Sequence, residues 1–136
     1  MNTTYQTQPI PARVGIVWIK LAVLYLLLGV GMGIMMGASQ NFTLRPVHAH
    51  LNLLGWTTLA LAGVIYSVFP RAGSSMLARV HFWTMNVAVP VMMLALAYLL
   101  VTGDKTVIPF LGAAEILAAV SVLSFAANLF LNLRDD

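Results

Sequence analysis

Four long apolar stretches, separated by short polar segments, dominate the pattern of the chain. They cover residues 13–37, 47–69, 78–101 and 107–133. Each is long enough to cross the hydrocarbon core of a bilayer, which takes about 20 helical residues. The segments between them hold the glycine, proline, serine and asparagine that are typical of turns. The pattern predicts an all-α, four-transmembrane-helix bundle that forms a single domain over residues 1–136. Because the connections are short, neighbouring helices are expected to be antiparallel.

The composition supports a membrane environment. The chain is 60% hydrophobic and 8% charged, whereas soluble domains carry about 25% charged residues. Seven lysines and arginines against four acidic residues give a formal net charge of +3. These basic residues form no cluster, so lipid and not nucleic acid is the expected partner. Cysteine is absent, which excludes disulfides, thiolate metal sites and covalent c-type heme attachment.

The basic residues also predict an orientation. One side of the bundle has five of them and the other has two, Arg45 and Lys105. The five are Arg13, Lys20, Arg71, Arg79 and Arg134. Basic residues favour the cytoplasmic side, so both termini are expected in the cytoplasm of a bacterial inner membrane, with the opposite orientation as the alternative. Residues 1–12 lack the features of a cleaved signal peptide, so the first stretch is expected to be a retained helix.

Glycines recur at a spacing of four in the first stretch, at Gly29, Gly33 and Gly37. Small residues at this spacing let two helices approach closely in lipid. This glycine face is expected to pack either inside the chain or against another protomer.

Two histidines open the second stretch, in Arg45-Pro46-Val47-His48-Ala49-His50. Residues two apart point about 160° apart around a helix, so His48 and His50 cannot hold one metal ion together and must serve different faces. Asn52 and Gly55 share the face of His48, and Gly55 is expected to leave room there for a flat macrocycle. The alternative is a pair of interfacial histidines hydrogen-bonded to loops.

The spacing of residues along this stretch resembles the tenth helix of subunit I of heme-copper oxidases, most closely the cbb-type branch. The residues that carry the resemblance are His48, His50, Leu54, Gly55, Trp56, Gly63, Ile65, Tyr66 and Pro70. The lead-in Arg45-Pro46-Val47-His48 also resembles the second helix of that family and of nitric oxide reductases, where it leads to a low-spin heme ligand. Outside residues 45–70, the chain resembles the family only as a four-helix pattern.

In that family, three four-helix repeats surround an approximate threefold axis, and this chain resembles one repeat. The resemblance implies a homotrimer that binds heme b through His48 and His50 at protomer boundaries, with Asn52 and Gly55 beside it. It also implies that Arg45 pairs with the heme propionates, an interfacial anchor being the alternative. The family's copper site needs three further histidines that this sequence lacks, so a complete oxygen-reducing centre is not expected.

Two further polar residues of the apolar stretches are candidates for chemistry. Glu115 lies ~12 Å into the fourth stretch at helical rise, at a depth similar to that of the histidines. It is expected to hydrogen-bond a histidine or to move protons, the alternative being a protonated acid that joins two helices. His81 is expected to be an interfacial histidine beside Trp83, too far from His48 to share its heme, with a second site as the alternative.

The sequence therefore predicts a small b-type cytochrome of the membrane, whose role is electron transfer, heme handling or binding of a diatomic gas, in that order. One alternative is a small oxidoreductase related to oxygen or nitric oxide reductases. Without a copper–histidine site, enzymatic activity is not favoured but stays open. The other alternative is a metal-binding or structural membrane subunit without heme.

Overall fold

Four long helices make up a computed structural model that describes residues 13–133, with side chains from Gly15 onward. They are α1 (Arg13–Ser39), α2 (Arg45–Val68), α3 (Met76–Thr102) and α4 (Ile108–Asn132). All four are long and apolar enough to cross a membrane, and the described part contains no strand. The predicted all-α architecture with four spans is thereby confirmed. Residues 1–12 and Arg134, which entered the arguments on targeting and orientation, lie outside the described residues.

The connections define two ends of the bundle. Residues 40–44 join α1 to α2, and the 3₁₀ turn Lys105–Val107 leads into α4 at the same end; we call this the loop-40 end. A single helical turn, Pro70–Gly73, joins α2 to α3 at the opposite end, which we call the turn-70 end. His48 and His50 belong to the loop-40 end, and His81 belongs to the turn-70 end.

Capping groups set the helix bounds, which differ from the predicted ones by one or two residues. The Ser75 side chain accepts a hydrogen bond from the Ala78 amide, so α3 begins at Met76. Gly103 ends α3 in the left-handed conformation, with a φ of 72°, as glycine commonly does after a helix. Gln40 has a φ of 53° and ends α1. The carboxylate of Asp104 caps the turn before α4, and the bonded Thr106 amide lowers the pKa of that carboxyl.

A π-helical segment, Leu51–Thr58, lies within α2 directly after His50. Here the chain winds more widely than in an α-helix, and two threonine hydroxyls follow the i−5 spacing. Thr57 donates to the Asn52 carbonyl at 2.9 Å and Thr58 donates to the Leu53 carbonyl at 2.8 Å. The pattern of apolar and polar residues gives no sign of this segment. Such segments are rare and often adjoin functional sites.

Glycines let α1 and α2 pack closely. A Cβ at Gly29 would lie 2.6 Å from Asn52 Nδ2, and one at Gly33 would lie 3.1 Å from His48 Cε1. Gly29 and Gly33 therefore pack inside the chain, which is one of the two predicted outcomes. At Gly37 no atom lies within 4 Å of an added Cβ, so the third member of the series does not take part in this packing.

Aromatic side chains join the α1–α2 pair to the α3–α4 pair at the turn-70 end. Trp18 and Tyr66 are almost fully buried, and their ring centroids are 5.6 Å apart. Tyr66 contacts Phe125 of α4 at 5.9 Å between centroids. Trp18 contacts Phe82 of α3 at 5.1 Å. All four helices therefore contribute to one core at this end.

Candidate functional site

His48 is half-buried against the glycine face of α1. Its Nδ1 lies 2.9 Å from the Gly29 carbonyl oxygen. A carbonyl oxygen can only accept a hydrogen bond, so Nδ1 must carry the proton. In the neutral ring the lone pair is then on Nε2, which is the form that binds a metal. Nδ1 makes the ring's hydrogen bond to the carbonyl oxygen, and no hydrogen bond to Nε2 occurs within the described part of the chain.

His50 is exposed on another face of α2. Its Nδ1 lies 2.8 Å from the Pro46 carbonyl oxygen, one turn earlier in the same helix. By the same reasoning Nδ1 donates the proton, and the lone pair of Nε2 is free. Metal-bound histidines typically donate their other ring N–H to such a carbonyl. Both imidazoles therefore have the hydrogen-bonding pattern of a metal ligand.

The two histidines face different sides of α2, as the spacing predicts. His48 contacts α1, whereas His50 points away from the chain. Within residues 13–133 there is no group of three or more histidines or acidic residues that could hold a metal ion. Each imidazole can thus provide one axial ligand to an iron, and a second ligand must come from elsewhere.

The surroundings of His48 correct the role predicted for Gly55. A Cβ at Gly55 would lie 2.6 Å from Tyr25 Cγ, so the Tyr25 ring fills the space that the sequence predicts for a macrocycle. Asn52 does lie beside His48, but its Nδ2 donates to the His48 carbonyl at 2.8 Å. Asn52 and Gly55 therefore lie in the contact between α1 and α2, and Gly55 offers no open surface to a cofactor.

Arg45 is exposed at the start of α2. Its guanidinium carbon lies 5.3 Å from the centre of the Phe42 ring, within the range of a cation–π contact. This contact holds the positive charge at the loop-40 end, on the same helix as the histidines. The position suits either predicted role, pairing with a carboxylate or anchoring at the membrane surface.

Two cavities lie near the histidines, but neither is lined by them. One of about 390 Å³ is lined by residues of α1, the 40–44 connection and the end of α3, including Met36 and Leu100. The other, of about 310 Å³, is apolar and lies between α1, α2 and α3, with Val47 and Leu51 in its wall. A macrocycle bound to His48 or His50 would therefore lie outside these cavities, at the surface of the protomer.

Glu115 is exposed on α4. Its carboxyl makes no hydrogen bond or ion pair within the described part of the chain. Within residues 13–133, Glu115 therefore neither bonds a histidine nor joins two helices. Both roles stay predictions for contacts with other molecules.

The sequence predicts an interfacial His81, but in the structure its side chain is fully buried. Its ring lies between Trp18, at 4.5 Å, and Phe125, at 4.8 Å between centroids. Trp83, the expected neighbour, is 67% exposed. The sequence predicts the correct end of α3 for His81, but it does not predict the burial of the side chain, because it does not show which side of α3 the other helices cover.

A hydrogen-bonded cluster surrounds His81. Asn128 Nδ2 donates to the Tyr66 hydroxyl at 3.2 Å and to the Ala72 carbonyl at 2.9 Å. Ser75 donates to Asn128 Oδ1 at 2.7 Å, which supports this orientation of the amide. The Tyr66 hydroxyl is then free to donate to His81 Nδ1, 3.0 Å away. Sequence reasoning missed the cluster, although an asparagine deep in an apolar stretch was a signal for it.

The chain matches no protein-family model, and the searches of curated proteins and of solved structures found no match.

Proposed function

We propose that this protein is a membrane b-type cytochrome that binds heme through His48 and His50 at boundaries between copies of the chain. The observation that carries the proposal is the pair of carbonyl contacts at Nδ1. Gly29 O and Pro46 O each accept a ring proton, which leaves each ring with an unprotonated Nε2, the type of atom that ligates heme iron.

The divergence of the two histidines supports a shared site. A six-coordinate heme needs two axial ligands on opposite faces of one macrocycle, and His48 and His50 of one protomer face different sides of α2. One imidazole from each of two copies meets that requirement. Neither His48 nor His50 lines the two cavities nearby, which also favours a macrocycle at the protomer surface. A closed ring of three copies is the assembly we propose.

The other groups at the loop-40 end fit a heme at this depth. Arg45 provides a cation at the membrane surface, where a propionate carboxylate would pair with it. A bis-imidazole heme transfers single electrons, and electron transfer is the role we propose first, ahead of heme handling and gas binding. We further propose that the turn-70 end, which holds Lys20, Arg71 and Arg79, faces the cytoplasm of a bacterial inner membrane.

An optical spectrum of the purified protein tests the proposal. Reduction should give a Soret band with sharp α and β bands, as expected for six-coordinate heme. His48→Ala and His50→Ala should each lose these bands or convert them to a five-coordinate spectrum. His81→Gln is the matched control, because its ring lies at the turn-70 end, and its spectrum should be unchanged. Absence of a Soret band in protein expressed with excess heme would sink the proposal.

Carbon monoxide distinguishes the proposed function from the oxidoreductase alternative. A six-coordinate iron should show no band shift, because both axial positions hold imidazole. A shift at full heme occupancy would indicate an open coordination site and would favour the enzyme. The structural alternative predicts a folded protein without bound heme or metal. Metal analysis of the same sample would then find no bound iron or other metal.

A further inference from the structure

A groove separates α1 from α3 on one side of the bundle. Within residues 13–133, α1 packs against α2 and α3 packs against α4, whereas the backbones of α1 and α3 are not closely packed. Both helices run from the turn-70 end toward the loop-40 end. The Trp18 and Phe82 rings are 5.1 Å apart between centroids and set a common level for the two helices. Residues equally far beyond this pair therefore lie at about the same depth in the membrane.

Two cavities lie along this groove at different depths. A cavity of about 210 Å³ at the turn-70 end has Val17 and Trp83 in its wall, and both side chains are exposed. The apolar cavity of about 310 Å³ described above has Tyr25 and Pro90 in its wall. These two residues lie seven or eight positions beyond the aromatic pair, which is ~10 to ~12 Å deeper at helical rise. The groove therefore offers apolar surface at both levels.

The same helix faces continue between the two cavities. Leu21 is four residues before Tyr25, and Asn86 is four residues before Pro90, so each lies on the groove side of its helix. Both are half-buried. Asn86 Nδ2 donates to the Phe82 carbonyl at 2.8 Å, so this donor is bonded within its own helix and needs no water in the groove. The two cavities thus belong to one strip of surface.

The turn-70 end of the groove is positively charged. Arg79 lies in the wall of the 210 Å³ cavity and is exposed. Lys20 is exposed one turn after Val17 on α1, and its side chain leans toward the start of that helix, and hence toward this end. Both acidic residues of the described part, Asp104 and Glu115, belong to the loop-40 half. No acidic side chain among residues 13–133 therefore neutralises the two cations, which complement an anion.

We propose that this groove binds one anionic phospholipid, with the phosphate at Arg79 and Lys20 and an acyl chain along α1 and α3. The charge identifies the headgroup, since basic pockets between membrane helices bind anionic lipids. The length fits the chain. Pro90 lies eleven residues beyond Arg79, ~16 Å at helical rise, and one leaflet is about half of the ~30 Å hydrocarbon core. The exposed Trp83 ring suits the membrane interface beside the headgroup.

Native mass spectrometry of the purified protein measures this binding lipid by lipid. Phosphatidylglycerol, an anionic probe, should bind with higher affinity than zwitterionic phosphatidylcholine of the same chain length. Arg79→Gln should lower the affinity for phosphatidylglycerol about fivefold, the usual share of one cation near an anionic lipid. Lys20→Gln should lower it in the same direction. The measurement needs no bound heme, so its outcome is independent of the proposed function.

Lys105→Gln is the matched control for charge. Lys105 is also exposed, but it lies at the loop-40 end, so its removal should leave the affinity for phosphatidylglycerol unchanged. Equal losses in Arg79→Gln and Lys105→Gln would indicate attraction by net charge alone and would overturn the proposed site. Equal binding of the two lipids to the unsubstituted protein would overturn it as well.

A pair of bulky substitutions tests the path of the acyl chain. Ile16 and Val17 are neighbours on α1 with exposed fractions of 43% and 47%, and of the two it is Val17 that lines the cavity. Val17→Trp should therefore lower the affinity for phosphatidylglycerol, and Ile16→Trp should leave it unchanged. Equal affinities would place the lipid outside the groove. A Val17→Trp variant that loses oligomer but keeps its lipid affinity would identify a second copy as the occupant, and either result contradicts the proposal.

Discussion

The ring nitrogens of the three histidines show how one residue type takes two roles in this chain. Carbonyl oxygens beside Nδ1 of His48 and His50 accept the ring proton and leave Nε2 unprotonated, as the proposed heme ligation requires. At His81 the neighbour is the Tyr66 hydroxyl, which itself accepts from Asn128 and can therefore donate to Nδ1. His81 Nε2 then carries the proton, and it is enclosed without a partner among residues 13–133. His81 is thus a hydrogen-bond acceptor at Nδ1 within the core.

Tyr66→Phe tests this assignment. The substitution removes the hydroxyl that joins His81 to Asn128, while Asn128 keeps its bond to the Ala72 carbonyl. We expect a loss of about 1 kcal/mol in the free energy of unfolding, the usual order for an interhelical hydrogen bond in a membrane. Unfolding in mixed micelles of increasing SDS measures it. The heme spectrum should be unchanged, since a change would mean that the cluster contacts the cofactor.

Only part of the candidate site could be predicted at the scale of residues. The divergence of His48 and His50 follows from the 100° step of a helix and needs no knowledge of neighbours. The filling of the space over Gly55 by Tyr25 depends on how α1 and α2 are rotated against each other. No local pattern fixes that rotation. The burial of His81 depends in the same way on which side of α3 the bundle covers.

At the scale of elements, the π-helical segment separates the histidines from the rest of α2. No proline or glycine pattern predicts the π-helical segment, since Gly55 alone is compatible with an ordinary transmembrane helix. The wider winding changes which residues of α2 face α1 beyond His50. The apolar length of a stretch predicts where a span lies. It does not predict that one turn of the helix holds one residue more than an α-helical turn.

Deleting a single residue tests the π-helical segment. Removing Leu53 should restore regular α-helical winding while both flanks keep their faces, because a π segment accommodates one residue in excess. Removing Leu61, equally apolar and exposed but in the α-helical part, should rotate the flanks by about 100°. We expect Leu53 deletion to keep a cooperative thermal transition in detergent and Leu61 deletion to lose it. Similar behaviour of both deletions would contradict the role assigned to this segment.

The close approach of α1 to α2 gives a further test. An added methyl at Gly33 would lie 3.1 Å from His48 Cε1, whereas at Gly31, on the same helix, no atom lies within 4 Å. Gly33→Ala should displace the imidazole from the Gly29 carbonyl and shift the heme midpoint potential or band positions. Gly31→Ala should leave the spectrum unchanged and gain up to ~1 kcal/mol of helix propensity. An identical spectrum in both variants would indicate that His48 is not an iron ligand.

At the scale of the whole molecule, the four helices share one core at the turn-70 end. The aromatic and hydrogen-bonded core joins all four helices at the turn-70 end. Cavities of about 390 and 310 Å³ lie at the loop-40 end, beside the candidate ligands. Four spans could be predicted because each apolar run has a membrane's length. Assembly could not, because a single sequence does not say which exposed faces meet lipid and which meet a second copy.

Mixing two inactive variants tests whether the site is shared between copies. If each heme takes His48 from one copy and His50 from the next, an assembly that contains both His48→Ala and His50→Ala chains has some boundaries with both histidines intact. With equal and random mixing in a closed ring, about one quarter of the boundaries qualify. Co-expression should therefore restore six-coordinate heme to roughly that fraction, measured per chain from the reduced α band. If both ligands came from the same chain, neither variant would hold a complete site and mixing would restore none.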